Sequence, residues 1–217
     1  DEGNRILMRN IPGEDCYDAS EAQMRMMIEL LVDLQWRWRT RLNDPPAGMW
    51  DWRDESLVSA IGHALDCCEH ELERAEYVSL SAFVDSLPER LHQLSQFSIP
   101  ISLVHGDFHP GNWRGIGNNL TILDWGDCGI GNVLLDVPGL LDRVPTQLVK
   151  TLEQHWLSCW QKYLPDSDVE QAFRIIKPIS TARMAATYQI FLDNIEPSEQ
   201  VYHDSDPAMC LRNTLVQ

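Results

Sequence analysis

A chain of 217 residues, 44% of them hydrophobic, suits one globular domain, which at this size buries about 70% of the surface its unfolded chain exposes. Its 17 basic residues against 33 acidic ones give a formal charge of −16, which argues against a nucleic-acid or anionic-membrane partner and suits a cationic ligand as readily as it serves solubility. The cysteines Cys16, Cys67, Cys68, Cys128, Cys159 and Cys210 show no C-x-x-C spacing, so neither a zinc site nor a secreted disulfide framework is expected, and the lack of a signal-peptide pattern or a long apolar run points to a cytoplasmic protein.

The chain starts without Met, on Ile6-Leu7-Met8 leading into Pro12-Gly13, and reads like the interior of a larger protein. Residues 20 to 42 predict a helix. Ser20 and Gln23 form a capping box, Met24, Met27, Ile28, Leu31, Gln35, Trp38 and Leu42 trace one face, and Arg37, Arg39 and Arg41 complement the dipole of its last turns. Pro45, Pro46 and Gly48 break that period, so residues 43 to 52 are expected as a loop whose Trp50 and Trp52 plug the core or wall a ligand site. Asp54 is expected to cap a second helix through Leu72, and a third is expected from Ser79 to Phe97, interrupted near Pro88.

After Pro100 the pattern changes. Ile101 to Val104 reads as a strand, His105 to Asn112 as a polar loop, and Trp113-Arg114 with Leu120 to Leu123 as a β-hairpin turning at Gly115 to Asn119. Helices are predicted again near 132–143, 145–163 and 167–195, with a last one begun by Asp206-Pro207. The expected fold class is α+β, mostly helical, with one small β-hairpin at its centre.

That hairpin carries Asn112 and Asp124 to the same end of two adjacent strands, which lie about 4.8 Å apart. An amide oxygen and a carboxylate so placed are hard donors of the kind magnesium takes alongside substrate phosphates. Asp107, at the start of the loop, is placed to accept a proton from an attacking hydroxyl, and phosphoryl transfer asks little more of a protein than such positioning and charge neutralisation.

His105-Gly106-Asp107-Phe108-His109-Pro110-Gly111-Asn112 resembles the protein-kinase loop H-R-D-x-x-x-x-N. In its H-G-D-x-H-x-x-N form it is similar to that of aminoglycoside phosphotransferases and choline kinases. Ile122-Leu123-Asp124-Trp125 resembles the segment of that family that stands where protein kinases have D-F-G, and Gly131 with Asp136-Val137 resembles its G-x(4)-D-L element. The resemblance implies the large C-terminal lobe of a protein-kinase-like fold over residues 14–217, entered through a hinge-like segment at 1–13. It implies an ATP- and Mg2+-dependent transfer of the γ-phosphate to a hydroxyl of a small molecule such as an aminoglycoside, choline or a related metabolite.

Residue by residue, it implies Asp107 as catalytic base, Asn112 and Asp124 as magnesium ligands, His105 as organiser of the loop, and His109 where protein kinases place a phosphate-contacting lysine. Asp136 would accept hydrogen bonds from loop amides, and Met8 and Asn10 would belong to the run leading out of the adenine pocket. Asp127 either binds a second metal or caps the following turn, and Trp125 is expected in the core. The short passage from Asp127 to Gly131 into helix leaves no room for a peptide platform, which favours a small acceptor.

The first lysine is Lys150, and the glycines before His105 are Gly3, Gly13, Gly48 and Gly62, so the lysine and glycine-rich loop that cover a kinase's phosphates are expected from a small N-terminal lobe lying outside this sequence, without which the chain would turn over little ATP. Two other readings compete. One takes His105, Asp107 and His109 as H-x-D-x-H ligands of a metal-dependent hydrolase, with His63, His70, His92, His155 and His203 unclustered; the other is a non-catalytic binding module built on a kinase lobe.

Overall fold

Ser20 opens the first helix as its sequence predicts: the Gln23 amide N–H donates to Ser20 Oγ at 3.4 Å, and Gln23 Oε1 accepts from the Ser20 amide at 2.9 Å. The computed structural model describes residues 9–42, 46 and 48–216. The helix, α1, spans Glu21–Trp38 and buries Met24, Met27, Ile28, Leu31, Val32 and Gln35; a 3₁₀ turn at Arg39–Arg41 replaces the expected α-helical end. It follows a two-residue strand β1 at Glu14–Asp15.

A short strand β2, Trp50–Trp52, precedes α2, Asp54–Cys67, whose N-cap is Arg53 and not Asp54. The next helix, α3, begins at Arg74, five residues before Ser79, because Glu73 and Glu76 form a capping box of their own. It continues through Pro88 to Ser95, burying Leu80, Leu87 and Leu94 on one stripe.

Strand β3, Ile101–Val104, leads into the polar loop. The predicted hairpin is β4, Trp113–Ile116, with β5, Asn119–Ile122. One sheet had been expected, and there are two. In the first, β1 pairs antiparallel with β4 beside β5, so the segment around Gly13 is tied to the hairpin. The second is made of β2, β3 and a further strand β6, Gly129–Asn132, which pairs parallel to β2 and antiparallel to β3.

Gly129 explains why β2 and β6 escaped the sequence reading. A Cβ on it would stand 2.4 Å from Trp52 Cδ1 and 2.6 Å from the Trp50 carbonyl oxygen, so a segment that looks like turn chemistry is a strand stripped of its side chain to admit Trp52. Close approach, not turning, selected that glycine.

The rest is helical: a 3₁₀ turn at Val133–Asp136, then α4 at Val137–Leu141, α5 at Thr146–Tyr163, α6 at Val169–Asn194, α7 at Pro197–Gln200 and α8 at Asp206–Thr214. The centre of the packing is α6, which touches α2, α3, α4, α5 and α8. Its buried positions include Ala172, Ala182, Ala185 and Ala186, small residues that let neighbouring helices come close. Among the described residues no helix is long and apolar enough to cross a membrane.

Candidate active site

The polar loop between β3 and β4 is held from behind before it presents anything in front. Asp136, 1% exposed, accepts from the backbone N–H of His105 at 2.9 Å through Oδ2 and from that of Gly106 at 2.9 Å through Oδ1. Its Oδ2 also accepts from Gln35 Nε2, whose other contact is the Leu103 carbonyl. Burial pushes the Asp136 carboxyl pKa up, and the two loop amides, His105 and Arg183 oppose that push. The carboxylate thus closes orphan donors that no strand or helix could satisfy.

Arg183 of α6, 1% exposed, donates to the Gly106 carbonyl at 2.9 Å. Gly106 has φ +92°, and a Cβ there would meet the Asp127 carbonyl oxygen at 2.2 Å, so this position requires glycine on both counts. The same contact brings Asp127 against the loop.

His105 is fully buried and uses both ring nitrogens: Nδ1 accepts from the Asp107 amide at 3.3 Å, so Nε2 carries the proton toward the Leu123 carbonyl at 2.9 Å. That bond ties the loop to the strand end before Asp124. His109, 7% exposed, accepts from the Gly111 amide at Nδ1, which leaves Nε2–H to donate to Asp107 Oδ2 at 3.2 Å. With these nitrogens committed, His105, Asp107 and His109 do not offer three free donors to one ion, which is evidence against the H-x-D-x-H hydrolase reading.

The Asp107 carboxylate receives three donors. His109 and Asn112 Nδ2, the latter at 2.9 Å, share Oδ2, while Arg143 Nη1 reaches Oδ1 at 2.8 Å. A carboxylate has about four lone-pair sites, so one remains, on Oδ1. Burial alone would raise its pKa, but the His109 hydrogen bond, the Arg143 charge and the Asn112 amide together hold it well below the usual carboxylate range. Asp107 is therefore an ionised, oriented acceptor.

Across the hairpin the Leu123 amide donates to the Asn112 carbonyl at 2.8 Å, which sets Asp124 beside Asn112. The Asn112 amide nitrogen is spent on Asp107, donating to its backbone carbonyl as well as its carboxylate, so Asn112 Oδ1 is left without a protein donor among the described residues. The carboxylate of Asp124, an exposed residue, likewise has no protein partner among the described residues, and its backbone sits at φ +55°, a region that non-glycine residues occupy at a cost. Two hard oxygens free of protein donors among the described residues, on residues that one backbone hydrogen bond brings across the hairpin, are of the kind that suits a magnesium ion, which takes few protein ligands and keeps waters and phosphate oxygens.

Asp127 makes no side-chain hydrogen bond among the described residues, so no turn-capping bond is present. Burial, then the charges of Asp107 and Asp124, push its carboxyl pKa up. It lines a cavity of about 280 Å³ together with Trp50, Trp52, Thr187, Ile190 and Phe191. Trp125 packs on His105 with ring centroids 4.5 Å apart. Asn10 lies exposed in coil before β1, and Met8 falls outside the described residues.

Sequence reasoning missed Arg143, Arg183 and Gln35 as parts of this site, whereas Trp50 and Trp52, expected either to plug the core or to wall a ligand site, line the cavity with Asp127. Arg183 had a readable signal, a charge at the spacing of the buried alanines of α6. Arg143, in the turn that follows α4, had none.

A model of the phosphotransferase enzyme family matches residues 3–165. No curated protein matches the chain by sequence. Among solved structures it is similar to a choline kinase from Cryptosporidium parvum, at 13% identity over 95% of this chain and 68% of that one with a TM-score of 0.64. It is also similar to a choline/ethanolamine kinase family protein from Mesorhizobium loti, at 16% identity over 96% of this chain and 68% of that one with a TM-score of 0.58. A third is the amicoumacin kinase hAmiN in complex with AMP-PNP, Ca2+ and Ami, at 16% identity over 94% of this chain and 64% of that one with a TM-score of 0.53. At such identities the likeness is one of fold.

Proposed function

The chain belongs to the phosphotransferase enzyme family, and from that premise we propose that it transfers the γ-phosphoryl group of ATP, bound with Mg2+, to a hydroxyl of a small cationic molecule. The observation that carries the proposal is the Asp107 carboxylate, fixed by His109, Asn112 and Arg143 with one lone pair left, in a loop whose Asn112 Oδ1, like the Asp124 carboxylate across the hairpin, has no protein donor among the described residues.

Asp107 orients the acceptor hydroxyl through Oδ1 and takes its proton as the oxygen bonds to phosphorus. A strongly acidic carboxylate is a weak base, which suits a loose transition state in which positioning and charge outweigh early proton removal. Asn112 Oδ1 and the Asp124 carboxylate would hold the magnesium, whose chemistry when bound is to neutralise the phosphate charge. His105 and Asp136 keep the loop in register, and Arg183 balances the carboxylates from beneath.

For the acceptor we favour the cavity that Asp127 shares with Trp50, Trp52 and Phe191. Aromatic faces beside a carboxylate attract an ammonium group, and the chain's charge of −16 works the same way at longer range. In this reading residues 14–217 hold acceptor and metal.

A phosphorylation screen tests the function: the intact gene product with ATP and Mg2+, against amino alcohols, amino sugars and uncharged alcohols. Phosphomonoester formation on an amine-bearing acceptor is the expected result. Preference for uncharged or anionic acceptors would overturn the acceptor class, and turnover that survives Asp107→Asn unchanged would overturn the site.

A further inference from the structure

Where α1 packs on α5, a side-chain cluster joins two helices that no motif connects. His155 and Cys159 lie one turn apart on the same face of α5, and Glu29 of α1 comes across to meet them. His155 Nε2 is 3.2 Å from Glu29 Oε1 and 3.7 Å from Cys159 Sγ, and the three donor atoms lie within 4.8 Å of one another. We propose that Glu29, His155 and Cys159 form a binding site for one borderline-soft divalent cation, Zn2+ foremost, that clamps α1 to α5.

The donor set and its spacing both point there. Sulfur, imidazole nitrogen and carboxylate oxygen are the ligands of four-coordinate zinc, and bond lengths of about 2.0–2.3 Å at tetrahedral angles put neighbouring donors about 3.3–3.6 Å apart. The separations from Nε2 already fall close to that, so binding needs side-chain adjustment and no movement of helices. Cys159 is 4% exposed while the Glu29 side chain is 56% exposed, so the site is anchored in the core and open on one side to a water as fourth ligand.

The charges that face the site are Arg25 and Glu29 from α1 and Lys162 from α5. Arg25 Nη1 lies 3.0 Å from His155 Nδ1, a donor where a metal-bound histidine needs an acceptor, so Arg25 has to withdraw. It has somewhere to go, since its Nε already bonds Glu21 at 2.8 Å. On binding, the imidazole proton moves from Nε2 to Nδ1, the Cys159 S–H bond breaks, the sulfur lone pair goes to the cation and one proton goes to solvent. Thiolate and carboxylate together then cancel the charge of the ion.

The sequence reading expected no zinc site because it looked for C-x-x-C pairs; here the ligands meet only through the packing of α1 on α5. Titration of the purified full-length protein with Co2+, followed by Zn2+ displacement, tests the site without reference to catalysis. One equivalent should bind, with a thiolate-to-cobalt charge-transfer band, tetrahedral ligand-field bands, release of one proton, and a Zn2+-dependent rise in Tm. Cys159→Ser should abolish the charge-transfer band, and Glu29→Gln, an exposed change that cannot unfold the chain, should weaken binding by at least the ~10–100-fold that loss of an outer-shell partner costs. Absence of a thiolate band in the parent protein, or binding undiminished in Glu29→Gln, would overturn the proposal.

Discussion

The guanidinium of Arg143 donates to Oδ1 of Asp107 at 2.8 Å, on the opposite carboxylate oxygen from the one that receives Asn112 and His109. The carboxylate is thereby held from two places far apart in sequence, the loop itself and the turn that follows α4. A donor on each oxygen fixes the plane of the group as well as its charge. Arg143 also lines a cavity of about 390 Å³ with Asp142, Met184, Tyr188 and Met209.

Arg143→Met removes the donor on Oδ1 and lets the carboxylate turn about its remaining contacts. Loss of orientation by about 1 Å costs up to about 10²-fold in rate. The expected result is a fall in kcat with nucleotide KM little changed; steady-state kinetics of the intact enzyme on any accepted alcohol measures both. An equal rise in nucleotide KM would place Arg143 on the phosphates instead.

Asp107→Asn and Asp124→Ala should separate the two halves of the site. The first leaves the shape but removes the proton acceptor, and kcat should fall by about 10²–10⁴-fold with ATP affinity nearly intact. The second removes a free oxygen of the proposed magnesium pair, and magnesium-nucleotide binding should be lost. Calorimetric titration of both variants with Mg2+-nucleotide makes the comparison, and matching losses of affinity would contradict the assigned roles.

Gly129→Ala tests the second sheet. Its Cβ would collide with Trp52 Cδ1 and the Trp50 carbonyl, and overpacking of this kind costs about 1–3 kcal/mol. A lowered urea midpoint is expected, whereas Gly117→Ala, at a turn where an added Cβ meets nothing within 4 Å, is strained only by its φ of +60° and should cost less.

Burial pushes the Cys68 thiol pKa up to about 12, with the charge of Glu71 adding to it, and the Cys210 thiol up to about 11. In the unfolded chain a thiol ionises near ~8.5–9, so below that pH both states are protonated and these groups do not affect the balance. Above it the unfolded chain sheds protons that the folded one retains, and stability falls as pH climbs toward the folded values. Equilibrium unfolding between pH 8 and 11 should show this decline, lessened in Cys68→Ala relative to its own value at pH 8. Neither thiol should react with iodoacetamide at pH 8 in the folded protein.

Much of the site was legible because it is local. Asp107, His109 and Asn112 lie within six positions, and the hairpin pattern that returns the chain to Asp124 is written in alternating residues and a glycine-asparagine turn. The helices α1, α5 and α6 were equally readable, since caps and a 3.6-residue period are properties of single segments. Where the reading failed, at β2 and β6, the deciding interaction was between segments: Trp52 lying over Gly129 is invisible until the two strands are paired.

What the sequence determined by itself was the order of elements, the loop with its carboxylate, and the kinship those residues carry, all of which depend on neighbours along the chain. Tertiary structure alone decided which other distant groups close the remaining valences: Arg143 on Asp107, Arg183 on Gly106, Phe191 in the cavity with Asp127, Glu29 opposite His155. The reason is that hydrogen bonds and charge pairs act over a few ångströms of space, and the separation of two residues in sequence sets no limit on how near packing brings them.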